Sequence, residues 1–329
     1  MKIAVSAETT VDLTKELLKQ YDVHTIPFTI LLGDTAKLDG EVECEEIVSY
    51  VQRTGILPKT SAVNEFQFDE YFEKLLDRYD RVIHFSLSSE MSSAYANAQK
   101  SAEKFGGKVK VFDSRSLSTG IALLTIYAAE LAAAGESFES VAEKSAKRIP
   151  YLQASFILER LDYLYKGGRC SSLAYFGANL LKLRPQILVL DGKMGAAKKY
   201  RGKIENAVRS YCRDTLERFD NPDLSVGFVT YTTASEEMLE IAKNAMKERG
   251  FQKIYVRRAG GAIAANIVWG SYISTTANRH ERRAHRNIRE YYAFRRFHSQ
   301  RLHDEKREDR KNRHGRGEPF GKEIRFFRG

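Results

Sequence analysis

Five serines fall in eight positions where an apolar strand pattern gives way to a helix, in the stretch SLSSEMSSAY from Ser86 to Tyr95. A helix N-terminus presents unpaired amide N–H groups and about half a positive charge, so hydroxyls gathered there suit a carboxylate or a phosphate. Capping alone needs one serine, so a cluster this dense points towards an anion site. LPKTSA, Leu57 to Ala62, adds Thr60 and Ser61 ahead of an amphipathic helix. Alone it reads as a helix cap, and it gains meaning only if it faces the serine cluster. In LYKGGRCSS, Leu164 to Ser172, paired glycines let the backbone approach a ligand and Arg169 offers a fork of donors. A glycine helix stop followed by a serine cap explains the same letters equally well.

Two further stretches carry charge. KKYRGK, Lys198 to Lys203, is a basic turn that is either simply solvated or meets an acidic partner or phosphorylated ligand. Asp113-Ser114-Arg115-Ser116 closes a strand, and the carboxyl ends of parallel strands are where α/β sheets bind ligands. Phosphate-loop, dinucleotide, zinc-protease and nucleophile-elbow motifs are absent. Only His24 and His84 precede the C-terminal stretch, and the three cysteines are widely spaced, so no histidine relay, metal site or disulfide framework is expected.

Alternating strand and helix patterns must position these residues. KIAVS, HTIPFTILL, RVIHFSL and KVKVFD read as strands, with helices over Glu45–Arg53, Glu65–Tyr79, Ser93–Phe105, Gly120–Ala134 and Phe138–Arg148. Pro150 marks a boundary between an N-terminal domain, 1–150, and a second, 151–277. The second holds LQASFIL, an apolar helix Leu173–Leu181, a hairpin about Asp191-Gly192, helices Ile204–Phe219 and Ser235–Arg249, and strands Ser225–Thr230 and Lys253–Arg257. The alternation argues for an α/β fold with mainly parallel sheets.

The chain has 329 residues, 43% of them hydrophobic, enough for one large or two ordinary domains. No apolar run reaches bilayer-spanning length and no signal peptide is evident, so a cytoplasmic location is expected. A formal charge of +10 raises nucleic acid as a partner, but the basicity is local. Residues 279–329 hold 17 Lys and Arg against 8 Asp and Glu, whereas the preceding 278 hold 36 against 35. The alternative function is thus a nucleic-acid-associated protein using this arginine-rich tail; against it, the tail shows no recognition motif and no single basic helical face.

In order along the chain, ETTVDLTKEL, KLDGEV, LPKTSA, FSLSSEMSSAYANA, VFDSRSLSTG, LDYLYKGGR, LRPQILVLDGKM and KKYRGK resemble the DegV family of fatty-acid-binding proteins. The resemblance spans about Lys2 to Arg257. It implies two α/β domains holding a long-chain fatty acid between them, its carboxylate bound by Thr60, Ser61 and Ser92, with Ser88 and Ser89 supporting. Arg169 corresponds to a position near the head group, and Lys199 and Arg201 to the partner-facing surface. The implied role is a carrier, not an enzyme, that presents the acid to a separate fatty acid kinase using ATP; the fatty acid is ligand, and no cofactor or metal is implied.

Three departures stand out. Glu8-Thr9 replaces the family's usual Asp-Ser, and Ser92-Ser93-Ala94 its usual Ser-Gly-Thr. The closing His-x-Gly segment, whose histidine belongs to the family's ligand site, is missing. Moved one base, the codons of Ala262 to Gly270 permit His-Cys-Gly-Gln-Tyr-Cys-Val-Gly, and Trp269-Gly270 dictates the last glycine. We therefore read a frameshift between about Arg258 and Ile263, a disrupted last strand, and a tail, 278–329, that is out of frame or disordered.

Overall fold

The computed structural model describes residues 1–159, 164, 166–170, 183–219, 221–267 and, as backbone, 270–276. The helix expected at Leu173–Leu181 and the basic tail lie outside the described residues. Strand β1 (Ile3–Glu8) runs through a 3-10 turn, Thr9–Val11, to α1 (Lys15–Gln20), which Thr14 caps. The run HTIPFTILL is two strands, β2 (Val23–Ile26) and β3 (Thr29–Leu32), because Pro27 has no N–H to continue a ladder. Next come β4 (Thr35–Leu38), α2 (Cys44–Thr54), β5 (Lys59–Ser61), α3 (Glu65–Leu76), β6 (Arg81–Ser86), α4 (Ala94–Ala102) and β7 (Val109–Asp113).

β2, β1, β6 and β7 form a parallel sheet in that order. Apart from Arg81 at its start, β6 is buried throughout, as a parallel strand covered on both faces must be. Beside this sheet, β4, β3 and β5 make a small antiparallel one that sets Thr60 opposite Ile30 and Ser61 opposite Thr29.

α5 (Thr119–Ala133) and α6 (Phe138–Arg148) lead into β8 (Leu152–Leu158), β9 (Arg184–Leu190) and β10 (Lys193–Tyr200). Then follow α7 (Ile204–Arg218), β11 (Val226–Tyr231), α8 (Glu236–Arg249), β12 (Lys253–Arg258), the short α9 (Gly261–Ala264) and β13 (Gly270–Thr276). The second sheet has the order β10-β9-β8-β13-β11-β12. The α/β class is as expected, but mainly parallel pairing holds only in the first sheet; here β11–β12 is the one parallel pair among the described strands. Two causes are visible. A two-residue turn at Asp191-Gly192, both at positive φ, forces β9 and β10 antiparallel, and β13 runs opposite to both neighbours. The last strand, expected to be disrupted, is hydrogen-bonded between β8 and β11 as an inner strand. Backbone pairing does not depend on side-chain identity, so an altered sequence can still occupy this slot.

α5 explains why the core is shared. It packs on β1, β2 and β6 of the first sheet and on β8, β11 and β13 of the second. A helix contacted from both sides needs apolar residues all round, and TGIALLTIYAAELAA supplies them. Thr119 and Thr230 join hydroxyls at 2.8 Å across this contact. Among the described residues, no helix is long and apolar enough to cross a membrane.

Candidate functional site

The loops that leave the four parallel strands converge on one cavity of about 370 Å³. Thr10 enters from the turn after β1, Phe28 from beyond β2, Leu87, Met91, Ser92 and Ser93 from beyond β6, and Leu117 from beyond β7. β5 contributes Thr60 and Ser61, while Arg169, Met194 and the segment Ala262 to Ile267 close the other side. Thr60, Ser61, Ser92 and Arg169 thus all line this one cavity. Ser92 Oγ also accepts from the Ala94 amide at 3.2 Å, and Arg169 Nη1 donates to the Gly167 carbonyl at 2.7 Å.

Ser88 and Ser89 do not line this cavity. Ser88 is fully buried and donates to the Gly192 carbonyl at 2.7 Å, and Ser89 donates to the Asp113 carboxylate at 2.5 Å. Arg115 reaches the Asp191 carbonyl at 3.0 Å, so the β9–β10 turn is pinned to the serine loop from two sides. These hydroxyls hold the loop that carries Ser92, a task that composition alone does not separate from ligand contact. Lys199 and Arg201 are also outside the lining, at the end of β10 and just beyond it, whereas Met194 near the start of the strand reaches the cavity.

Beneath the serine loop lies a buried polar cluster. Glu8 accepts from Ser86 Oγ at 2.5 Å and from the Leu87 amide at 2.9 Å; its Oε1 stands 3.4 Å from His84 Nε2, and His84 Nδ1 lies 2.9 Å from Ser6 Oγ. The serine, histidine and glutamate are each fully buried, out of reach of the cavity, so the trio anchors β6 instead of activating a nucleophile. The departure to Glu8 therefore still ties the start of the serine loop to β1.

A second cluster fixes the opposite wall. Asp12 accepts from Ser118 Oγ at 2.5 Å and from the Gly260 amide at 2.7 Å; Asp39 accepts from Thr9 Oγ1 at 2.6 Å and from the Ala262 amide at 3.2 Å. Burial pushes the Asp12 carboxyl up to about 7, with the Asp39 charge adding to the rise while Ser118, Gly260 and Arg257 oppose it. Burial raises Asp39 as well, against the hydrogen bonds from Thr9, Ala262 and Gly261. Neither aspartate was singled out from the sequence, where each is one acid in a short polar stretch; their backbone partners, Gly260 and Ala262, lie more than two hundred residues away.

The lining has a clear chemistry. Phe28, Leu87, Met91, Leu117, Met194 and Ile263 give it an apolar body, hydroxyls, Asn266 and Arg169 supply the polar groups, and no carboxylate lies among the described lining residues. Such a site holds an amphiphile with an anionic or neutral oxygenated head. Among the described residues, no cluster of His, Cys, Asp and Glu could hold a metal ion.

The chain matches the model of the family described as "Uncharacterised protein, DegV family" over residues 2–272. A DegV domain-containing protein of Caldanaerobacter subterraneus is 28% identical over 270 residues, 80% of this chain and 95% of the relative. A Thermotoga maritima protein named fatty acid-binding protein is 30% identical over 226 residues, 66% of this chain and 78% of that one. Among solved structures, a DegV lipid-binding protein of Thermotoga maritima superposes with a TM-score of 0.73 at 26% identity, covering 84% of this chain and 98% of its own. A DegV family protein of Thermus thermophilus, described for fatty acid binding, gives 0.78 at 22% identity, covering 84% and 100%, and at that identity supports the fold alone. These relatives are named for binding, not for catalysis. With the family model matched from the first strand into the last, this chain belongs to the DegV family.

Proposed function

We propose that the protein binds a long-chain fatty acid, with its carboxylate at Thr60, Ser61 and Ser92 near Arg169 and its acyl chain among Phe28, Leu87, Met91, Leu117, Met194 and Ile263. The single observation that carries this reading is the cavity's division of labour, hydroxyls and one arginine beside an apolar body with no carboxylate among the described lining residues. A lining carboxylate would repel the head group; hydroxyls accept or donate as needed and can bind a carboxylate or an acyl phosphate. On this reading residues 1–150 carry the head-group hydroxyls, residues 151–277 close over the chain, and the protein works in the cytoplasm without a cofactor.

The finer role is that of a carrier presenting the carboxylate to a separate ATP-dependent fatty acid kinase. In acyl-phosphate formation the ionised carboxylate is itself the nucleophile, so the carrier has only to hold and present it while the kinase supplies ATP and the catalytic groups. Lys199 and Arg201 sit on the exposed end of β10 and suit an acidic partner surface. The test is to purify the protein, extract it with organic solvent and identify the extract by mass spectrometry. A stoichiometric long-chain fatty acid is expected; its absence, together with no binding of added palmitic acid, overturns the carrier reading.

A further inference from the structure

Thr9 and Thr10 occupy one 3-10 turn yet have opposite fates. Thr9 Oγ1 donates to Asp39 Oδ2 at 2.6 Å and receives the Phe28 amide at 3.3 Å. Thr10 is only 2% exposed, lines the cavity, and its hydroxyl has no hydrogen-bond partner among the described residues. The acids nearby in sequence and space are already engaged. Glu8 serves Ser86 and Leu87, Asp12 serves Ser118 and Gly260, and Asp39 serves Thr9 and Ala262.

A buried hydroxyl without a partner costs stability, so each such group calls for an explanation. The cavity lining that includes Thr10 also holds Phe28, Leu87 and Leu117, none with a side-chain oxygen or nitrogen, along with the hydroxyls of Thr60, Ser61, Ser92 and Ser93. Valine, with the same shape and no unmet hydrogen bond, would fill the position better if packing were its only task. A threonine among the lining residues is suited instead to something that arrives there with an oxygen. Its position is also close to the hydroxyl group already described: Phe28 follows β2, its amide meets Thr9, and the next residue, Thr29, is the cross-strand partner of Ser61.

We propose that Thr10 is a ligand-binding residue whose hydroxyl hydrogen-bonds an oxygen of the bound fatty acid. The inference rests on the fatty-acid reading and deepens it. The oxygen belongs either to the carboxylate or to a hydroxyl carried on the acyl chain; both complete the Thr10 pair, and a methylene at the same place leaves it unmet. A site built around a hydrogen bond discriminates against ligands that lack the matching group, so Thr10 sets preference as well as affinity.

The experiment compares wild type, Thr10→Val and Thr10→Ser, with ligand removed by delipidation. Binding of palmitic acid, hexadecanol and a set of hydroxypalmitic acids is measured by calorimetry, and Tm is measured without ligand. Thr10→Val is expected to lose about tenfold in affinity for the ligand whose oxygen Thr10 meets, with Thr10→Ser close to wild type. Loss for palmitic acid but not hexadecanol assigns the carboxylate; loss confined to one hydroxypalmitic acid assigns a chain hydroxyl. The ligand-free Tm of Thr10→Val is expected to equal or exceed that of wild type, because an unmet hydroxyl has been removed. The inference is overturned if Thr10→Val binds every acid as tightly as wild type, or if its ligand-free Tm falls and all affinities fall together. Failure of wild type to bind any of the acids overturns the fatty-acid reading first, and is recognised by that result alone.

Discussion

The Gly260 amide donates to Asp12 Oδ1 at 2.7 Å, joining the turn after the first strand to the entry of the segment that forms the cavity's far wall. Asp39 grips the same segment at the Ala262 amide. Both contacts read backbone and not side chains, which is how residues as plain as Gly-Gly-Ala-Ile are held in a defined place. The fit is close: a Cβ on Gly261 would stand 2.6 Å from Ile30 Cδ1 and 2.9 Å from the Val42 carbonyl.

Asp12 gives this clasp a pH dependence. Its carboxyl rises from 3.8 to about 7 on folding, so between these values the unfolded chain releases a proton that the folded protein keeps. Its contribution to stability is complete below pH about 4, falls as pH rises through the window, and is fully lost above about 7. Asp12→Asn removes this titration. The variant's Tm is expected to change less between pH 5 and pH 8 than that of wild type, and identical slopes would assign the dependence to other groups.

Ser88 offers a test of reassignment. Its hydroxyl serves the Gly192 carbonyl, so Ser88→Ala is expected to cost about 1–3 kcal/mol of stability while leaving fatty acid affinity within about twofold. Chemical denaturation and calorimetry on the same preparation separate the two effects. A large affinity loss at unchanged stability would return Ser88 to the ligand site.

Thr60 is predicted to behave oppositely. Thr60→Val keeps the shape of the side chain and removes only its hydroxyl; fatty acid affinity is expected to fall about tenfold, with a small change in stability. Hexadecanol, which brings no carboxylate, is expected to discriminate less between the two proteins. Equal affinity of both for palmitic acid would remove Thr60 from the head-group site.

The segment after Arg258 carries a fourth expectation. Ala262 and Ile263 line the cavity at the point where the shifted reading frame supplies a histidine. A frame-restored chain is therefore expected to bind palmitic acid at least tenfold more tightly than this one, through one added bond to the carboxylate. Equal affinities would show that the wall works without it, and resequencing the locus tests the frameshift itself.

Local patterns carried much of the fold. The α6 boundaries, Phe138–Arg148, follow from a Ser137 cap and helical apolar spacing, and the Asp191-Gly192 turn follows from residue types that accept positive φ. The order of the second sheet was not legible, because β13 pairs with β8 more than a hundred residues earlier and periodicity says nothing about partners. The site divides in the same way. Hydroxyl density marked the Ser86–Ser93 stretch and the family resemblance named Thr60, Ser61 and Ser92, but neither could say that Ser88 turns towards a carbonyl 104 residues away. Asp12, Asp39 and Thr10 stayed hidden because their meaning comes from what folds over them.

The helix between the two sheets has a consequence for how the protein comes apart. α5 lies in sequence within residues 1–150, yet one of its faces is covered by β8, β11 and β13. A fragment ending at residue 150 would leave that face bare and would be prone to self-association. Heat and denaturant should accordingly melt both sheets in one cooperative transition, and neither half should survive limited proteolysis as a stable remnant.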